Sequence, residues 1–197
     1  MSKAPNFDAF QITEKHYNTI IKQGLDNLPK ESGGFLGGNS DGLVQAIMPV
    51  YNQYLFDRTG TFMVTSEDIQ RAHAFFQKHD MLYYSVYHTH PNGIAYPSAG
   101  DIKTGHKYHF IVSYVNKEQP EFAAYRIDNN SPVQLPLTVV SDKGFSSASK
   151  KGAKSQVKLD DRDALNERIS NIIYNKPNRY DRMDPPDNSD SDFSTLA

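Results

Sequence analysis

An apolar and aromatic run from Met81 to Tyr87 leads straight into His88-Thr89-His90-Pro91, and no other stretch of the 197-residue chain restricts its fold as tightly. The run is rich in strand formers, which predicts a buried strand ending at the two histidines. Residues two apart on a strand project to the same face, so both imidazoles are aimed at one place. Pro91 and Asn92-Gly93 then end the strand and turn the chain. After Pro97, Ser98 opens a short helical turn in which Asp101 falls three residues later. A strand end and a helix start can thus bring two imidazoles and a carboxylate together. Two His and one carboxylate, with a fourth position left to water, is the ligand count of a catalytic zinc site. The chain has no cysteine, which excludes a closed thiolate site and disulfides alike. Each half of the pattern is weak alone. A His-x-His pair is more often polar decoration of a strand, and Ser98-x-x-Asp101 has the form of a capping box that needs no metal. The two together, with Pro and Gly between them, are far more specific.

His88-x-His90-Pro91, six residues, then Ser98-x-x-Asp101 resembles the zinc signature of the JAMM (MPN-plus, JAB-domain) metalloproteases, especially their compact prokaryotic members. That family carries an upstream Glu before a Gly-rich strand, and Glu31-Ser32-Gly33-Gly34-Phe35-Leu36-Gly37-Gly38 is similar to that element, with Phe35 in place of a Leu. The resemblance covers roughly residues 10 to 140. It implies an α+β, cytidine-deaminase-like MPN fold, a mixed curved sheet flanked by helices. It also implies Zn2+ held by His88, His90 and Asp101, with Glu31 as general base and Ser98 as oxyanion donor. The implied activity is hydrolysis of the bond after the C-terminal Gly-Gly of a ubiquitin-like or sulfur-carrier protein. Precursor processing and deconjugation both fit, the latter including antiphage systems whose E1-like and E2-like components would be partners. With all five positions filled, a non-catalytic MPN partner-binding module with a structural zinc is the second reading. Zinc hydrolysis of a small molecule ranks third, because the deaminase Cys pair is absent.

The rest of the chain is read from patterning. Residues 1–10 are expected to form a loose arm and 11–140 the catalytic domain. Tyr17, Ile20, Ile21 and Leu25 mark one face of a first helix starting at Thr13. Phe35–Gly38 and Leu43–Val50 read as an antiparallel pair around Asn39-Ser40-Asp41-Gly42. Phe62–Val64 reads as a short strand, followed by a helix from Ser66 with Ile69, Ala72, Phe75 and Phe76 on its apolar face. His73 and His79 fall on that helix's surface. His106 and His109 are the best decoy ligands: their spacing of three does not suit one face of the strand predicted from Tyr108 to Val115. Further strands are expected over Glu121–Ile127 and, as a single edge strand interrupted by Pro136, over Val133–Val140. The composition shifts at Ser141. Residues 141–158 read as a flexible linker, 159–175 as an amphipathic helix carrying Leu165, Ile169, Ile172 and Ile173, and 176–197 as a disordered tail.

A net charge of −2, from 21 basic and 23 acidic residues, offers no basic face for nucleic acid. No window is apolar and long enough for a membrane span, and no secretory signal is evident, so a cytoplasmic location is expected.

Overall fold

The computed structural model describes residues 6–142, and everything below refers to these. The elements run β1 (Phe10–Thr13), α1 (Glu14–Asn27), β2 (Gly33–Gly38), β3 (Leu43–Val50), α2 (Ser66–Lys78), β4 (Leu82–His90), α3 (Ala99–Lys103), β5 (Tyr108–Ser113), β6 (Glu121–Asp128), β7 (Ser131–Leu135) and β8 (Leu137–Val140). The strands form one mixed sheet in the order β7-β6-β5-β4-β2-β3-β1-β8. β2 pairs antiparallel with β3 and β4, whereas β4 pairs parallel with β5. β7 and β8 are consecutive in the chain yet lie at opposite ends of that order, with only Pro136 between them. The sheet therefore curls until its ends meet, a nearly barrel-like closure, and the Phe10 amide donates to the Pro136 carbonyl at 2.8 Å where they do.

Two apolar layers cover the sheet. On the α1 side Ile20 packs with Phe10, Ile12, Leu36, Tyr87, Phe110 and Val112. On the α2 side Ala72 and Phe76 pack with Phe35, Met48, Val50 and Val86. Burial of so much aliphatic and aromatic surface is the main force holding both layers. A register shift between Leu36 and Gly37 skips Tyr84 in the pairing with β4. This bulge lets Tyr84 and Tyr87, three residues apart, enter the same core. α1 starts at Thr13, whose side chain accepts from the His16 amide, and α2 is capped by a reciprocal Thr65–Asp68 box.

Three sequence expectations change. Of the expected N-terminal arm, Phe7 and Phe10 are buried, because their rings pack edge-on against Tyr84, Tyr108 and Phe110. β1 is short and built mostly on parallel pairing with β3 and β8, which no local periodicity signals. Phe62–Val64 is not a strand: the Asn52 side chain accepts from the Met63 amide and donates to the Thr61 carbonyl, so an amide side chain takes the place of a ladder. Val133–Val140 is two strands, since Pro136 has no N–H to continue one ladder and redirects the chain to the other sheet end. α3 begins at Ala99 with Ser98 as its N-cap, in keeping with the Ser98-x-x-Asp101 pattern. The expected linker, amphipathic helix and tail lie outside the described residues, apart from Ser141 and Asp142.

Candidate metal centre

β4 ends at the site. His88 and His90, two apart on this strand, direct their Nε2 atoms to within 3.0 Å of each other. Between them, Thr89 points elsewhere and clamps the preceding connection: its amide donates to the Ser32 carbonyl, and its Oγ1 accepts from the Ser32 amide, both at 2.8 Å. The clamp sets Ser32, and with it Glu31, beside the histidine pair. The Glu31 backbone is further held by its own N–H to Arg58 O and by Asn52 Nδ2 donating to its carbonyl. Gly33 follows, where a Cβ would collide with the Tyr87 carbonyl at 2.3 Å and the Phe62 ring at 2.7 Å; a bare backbone is required for the approach.

Asp101 arrives on α3. Ser98 N and Oγ both donate to Asp101 Oδ2 at 2.7 Å, and the Asp101 amide donates back to Ser98 Oγ at 3.2 Å. The capping box and the ligand reading are one arrangement: the cap occupies Oδ2 and leaves Oδ1 3.2 Å from His88 Nε2. His90 Nε2 lies 3.7 Å from Oδ2. Among the described residues, His88, His90 and Asp101 are the one group whose donor atoms converge closely enough to hold a metal ion.

The donor set fits such an ion. A tetrahedral centre with bonds of about 2.0–2.2 Å has neighbouring donors roughly 3.3–3.6 Å apart, close to the separations found here. His90 Nδ1 lies 2.9 Å from the Ile94 carbonyl, which can only accept, so the proton is on Nδ1 and Nε2 of the neutral ring keeps its lone pair. The Phe62 ring lies parallel to His88, 6.1 Å away, and walls the site from one side.

The charges are coupled. Burial pushes the Glu31 carboxyl up to about 7, a rise opposed by the His90 charge and reinforced by Asp101. Burial disfavours the Asp101 carboxylate, but hydrogen bonds from His88, His90 and Ser98 outweigh it and hold the group well below the usual range. Burial also opposes charge on His90, yet its bonds to Asp101 and Ile94, with the Glu31 carboxylate nearby, raise its pKa. A carboxyl that titrates near neutrality can both take and give a proton.

The decoys stay apart from the donor set. His109 is buried with Nε2 lacking any partner, and burial pushes it down to about 4. His106 faces its ring at 6.1 Å; His73 packs against Tyr83 and His79 against Phe75. Sequence reading brings out the three converging donors His88, His90 and Asp101 but misses Thr89, Asn52, Phe62 and the Ile94 carbonyl around them. Only Thr89, a β-branched residue between the two histidines, stands where a local pattern could have marked it.

A curved mixed sheet that carries a His-His-Asp centre at one strand end defines a metal-binding α+β domain. The model of the prokaryotic homologs of the JAB domain matches residues 13–128, and the chain belongs to that family. JAMM-like members of the wider family include metalloproteases. Among solved structures, a protein from Desulfitobacterium hafniense is similar in fold, with a TM-score of 0.61 at 20% identity over 68% of this chain and 94% of that one. A protein from Salinibacter ruber gives 0.49 at 26% identity, covering 68% and 94%. A JAB1/MPN domain protein from Archaeoglobus fulgidus gives 0.43 at 18%, covering 68% and 98%. A search of curated proteins finds none that matches. No helix among the described residues is long and apolar enough to cross a membrane.

Proposed function

We propose that this chain is a zinc-dependent peptidase or isopeptidase acting after the C-terminal Gly-Gly of a ubiquitin-like or sulfur-carrier protein. The observation that carries the reading is the buried Glu31 carboxyl, at about 7, set beside a three-donor centre whose fourth position no protein donor fills among the described residues. Zinc held by His88, His90 and Asp101 would supply a water acidic enough to ionise near neutral pH and a polarised carbonyl. Glu31 takes the proton of the attacking water and hands it to the leaving amine. Ser98 Oγ, which in this structure donates to Asp101 Oδ2, turns that donor toward the developing oxyanion, while Oδ2 keeps the Ser98 backbone N–H. Ile94 holds His90 in the tautomer the centre needs. A Gly-Gly end suits such a reaction because backbone without side chains can approach a metal closely. Only Thr104 to Lys107 separate α3 from β5, which leaves little room for an insertion that would read the linkage of a modifier chain.

The test is intact-mass analysis of a Gly-Gly-ended ubiquitin-like protein, bearing a C-terminal extension or a lysine-linked partner, after incubation with the zinc-loaded protein. Cleavage after the second Gly is expected. Glu31→Ala should keep zinc and lower turnover by about 10²- to 10⁴-fold. A metal-loaded sample that cleaves neither substrate would favour a partner-binding module instead.

A further inference from the structure

The orientation of His90 depends on a carbonyl in a loop, and that loop must itself be held still. Ile94 O lies 2.9 Å from His90 Nδ1 and also accepts from the Tyr96 amide at 2.8 Å. The Ile94 side chain is 68% exposed, so it does not anchor the carbonyl it carries. The loop is seated at two points. Pro91 is buried where β4 stops, and Ala95 packs with Ile111, Ala123 and Tyr125. Between them Asn92 and Ile94 are exposed. Apart from His90 itself, Ser113 is the one strand residue that hydrogen-bonds the backbone between those two points among the described residues: its Oγ donates to the Gly93 carbonyl at 2.7 Å.

Ser113 is placed to act on His90. It is the last residue of β5, it is buried, and it pairs with His90 in the parallel β4–β5 ladder. The Tyr114 amide extends that ladder by donating to the His90 carbonyl at 3.1 Å. Residues paired across a ladder project to the same face, so the hydroxyl rises beside the imidazole. Its direction is set as well, because the Val115 amide donates to Ser113 Oγ at 3.3 Å and the hydroxyl proton is left for Gly93. Gly93 passes close over the imidazole, where a Cβ would stand 3.4 Å from His90 Cβ and 3.6 Å from Nδ1. The peptide joining Gly93 to Ile94 is planar, so pinning its oxygen leaves only φ and ψ of Ile94 between the pinned unit and the carbonyl that faces His90.

We infer that Ser113 is a positioning residue for the metal ligand His90, acting through Gly93 and Ile94 to keep the ring proton on Nδ1 and the Nε2 lone pair toward the ion. The inference rests on the metal-centre reading and not on the identity of the substrate. A hydroxyl that only tied the loop to the strand end would stabilise the fold and leave the ring as it is.

The experiment compares wild type, Ser113→Ala and Ser113→Thr in the full chain by three measurements: zinc affinity from chelator competition, the His90 Nδ1–H proton resonance of the zinc-loaded protein, and the urea midpoint of the zinc-free protein. In wild type the Nδ1–H, bonded to Ile94 O, should give a resolved signal. Ser113→Ala should weaken zinc by about tenfold or more, the scale found when the outer partner of a metal-bound imidazole is disturbed, and its Nδ1–H signal should be lost to exchange with water. Ser113→Thr keeps the hydroxyl and should restore both. A Ser113→Ala protein with a lowered urea midpoint but wild-type zinc affinity and an intact Nδ1–H signal overturns the assignment. A Ser113→Thr protein that keeps the wild-type midpoint yet binds zinc as weakly as Ser113→Ala also overturns it. Wild type that binds no zinc removes the metal-centre reading itself.

Discussion

Two histidine pairs lie close together, His88 and His90 at the end of β4, and His106 in the connection before β5 with His109 on β5, and only the first makes a centre. Their ring centroids are not far different, 4.9 Å in the first pair and 6.1 Å in the second. What differs is period and partner. A spacing of two keeps both side chains on one face, and Ser98 holds a carboxylate in front of them. His106 precedes β5, so no strand period aligns it with His109; His109 Nε2 is buried without a hydrogen-bond partner, and no carboxylate is aimed at the pair. Imidazoles near one another are thus not a ligand set until the local period agrees with an oriented third donor.

The comparison breaks most completely at Asp101. Asp101→Ala removes a donor and the α3 cap together, and zinc affinity measured by chelator competition should fall by more than about 100-fold, beyond the loss typical of a supporting residue. Ser98→Ala keeps all three donors and loosens one. Affinity should drop by about 10- to 100-fold through Asp101 orientation, and kcat by about 10²- to 10³-fold once the protein is saturated with zinc. If affinity is untouched while kcat falls, the cap does not position the ligand.

The second pair is best probed through stability. His109 in the folded chain titrates near 4, below its ordinary 6.5, so between those values the unfolded chain binds the extra proton. Stability from this group is whole above about pH 6.5 and is lost as pH falls toward 4. The loss should amount to on the order of 3 kcal/mol, given about 1.4 kcal/mol per pH unit. Urea unfolding of the zinc-free protein from pH 7.5 to 4.5 should therefore show a flatter profile for His109→Phe than for wild type. The smallest effect belongs to His106→Ala, which should change zinc affinity by less than about twofold; a larger loss would mean that the pairs are not separate.

Much of the site was readable because its logic is local. The one-face histidine pair needs only the period of a strand, and the Ser98–Asp101 cap only the first turn of a helix. Glu31 was reachable through family resemblance alone, since nothing in its neighbours distinguishes it from a solvent-facing Glu. Burying it takes the Ser32–Thr89 clamp, which joins positions 57 residues apart. The same limit explains the misses in the fold. Phe62–Val64 looks like a strand by composition, but the Asn52 amide claims its backbone, and Phe7 and Phe10 look like a tail until an aromatic cluster closes over them.

By itself, then, the sequence determined most of the helices and strands and the three donors, because periodicity, caps and turns act within a few residues. Tertiary structure alone decided where the sheet closes on Pro136 and that Glu31 is buried to titrate near neutrality. Each of these depends on pairing between distant segments, whose desolvation and register no local window contains.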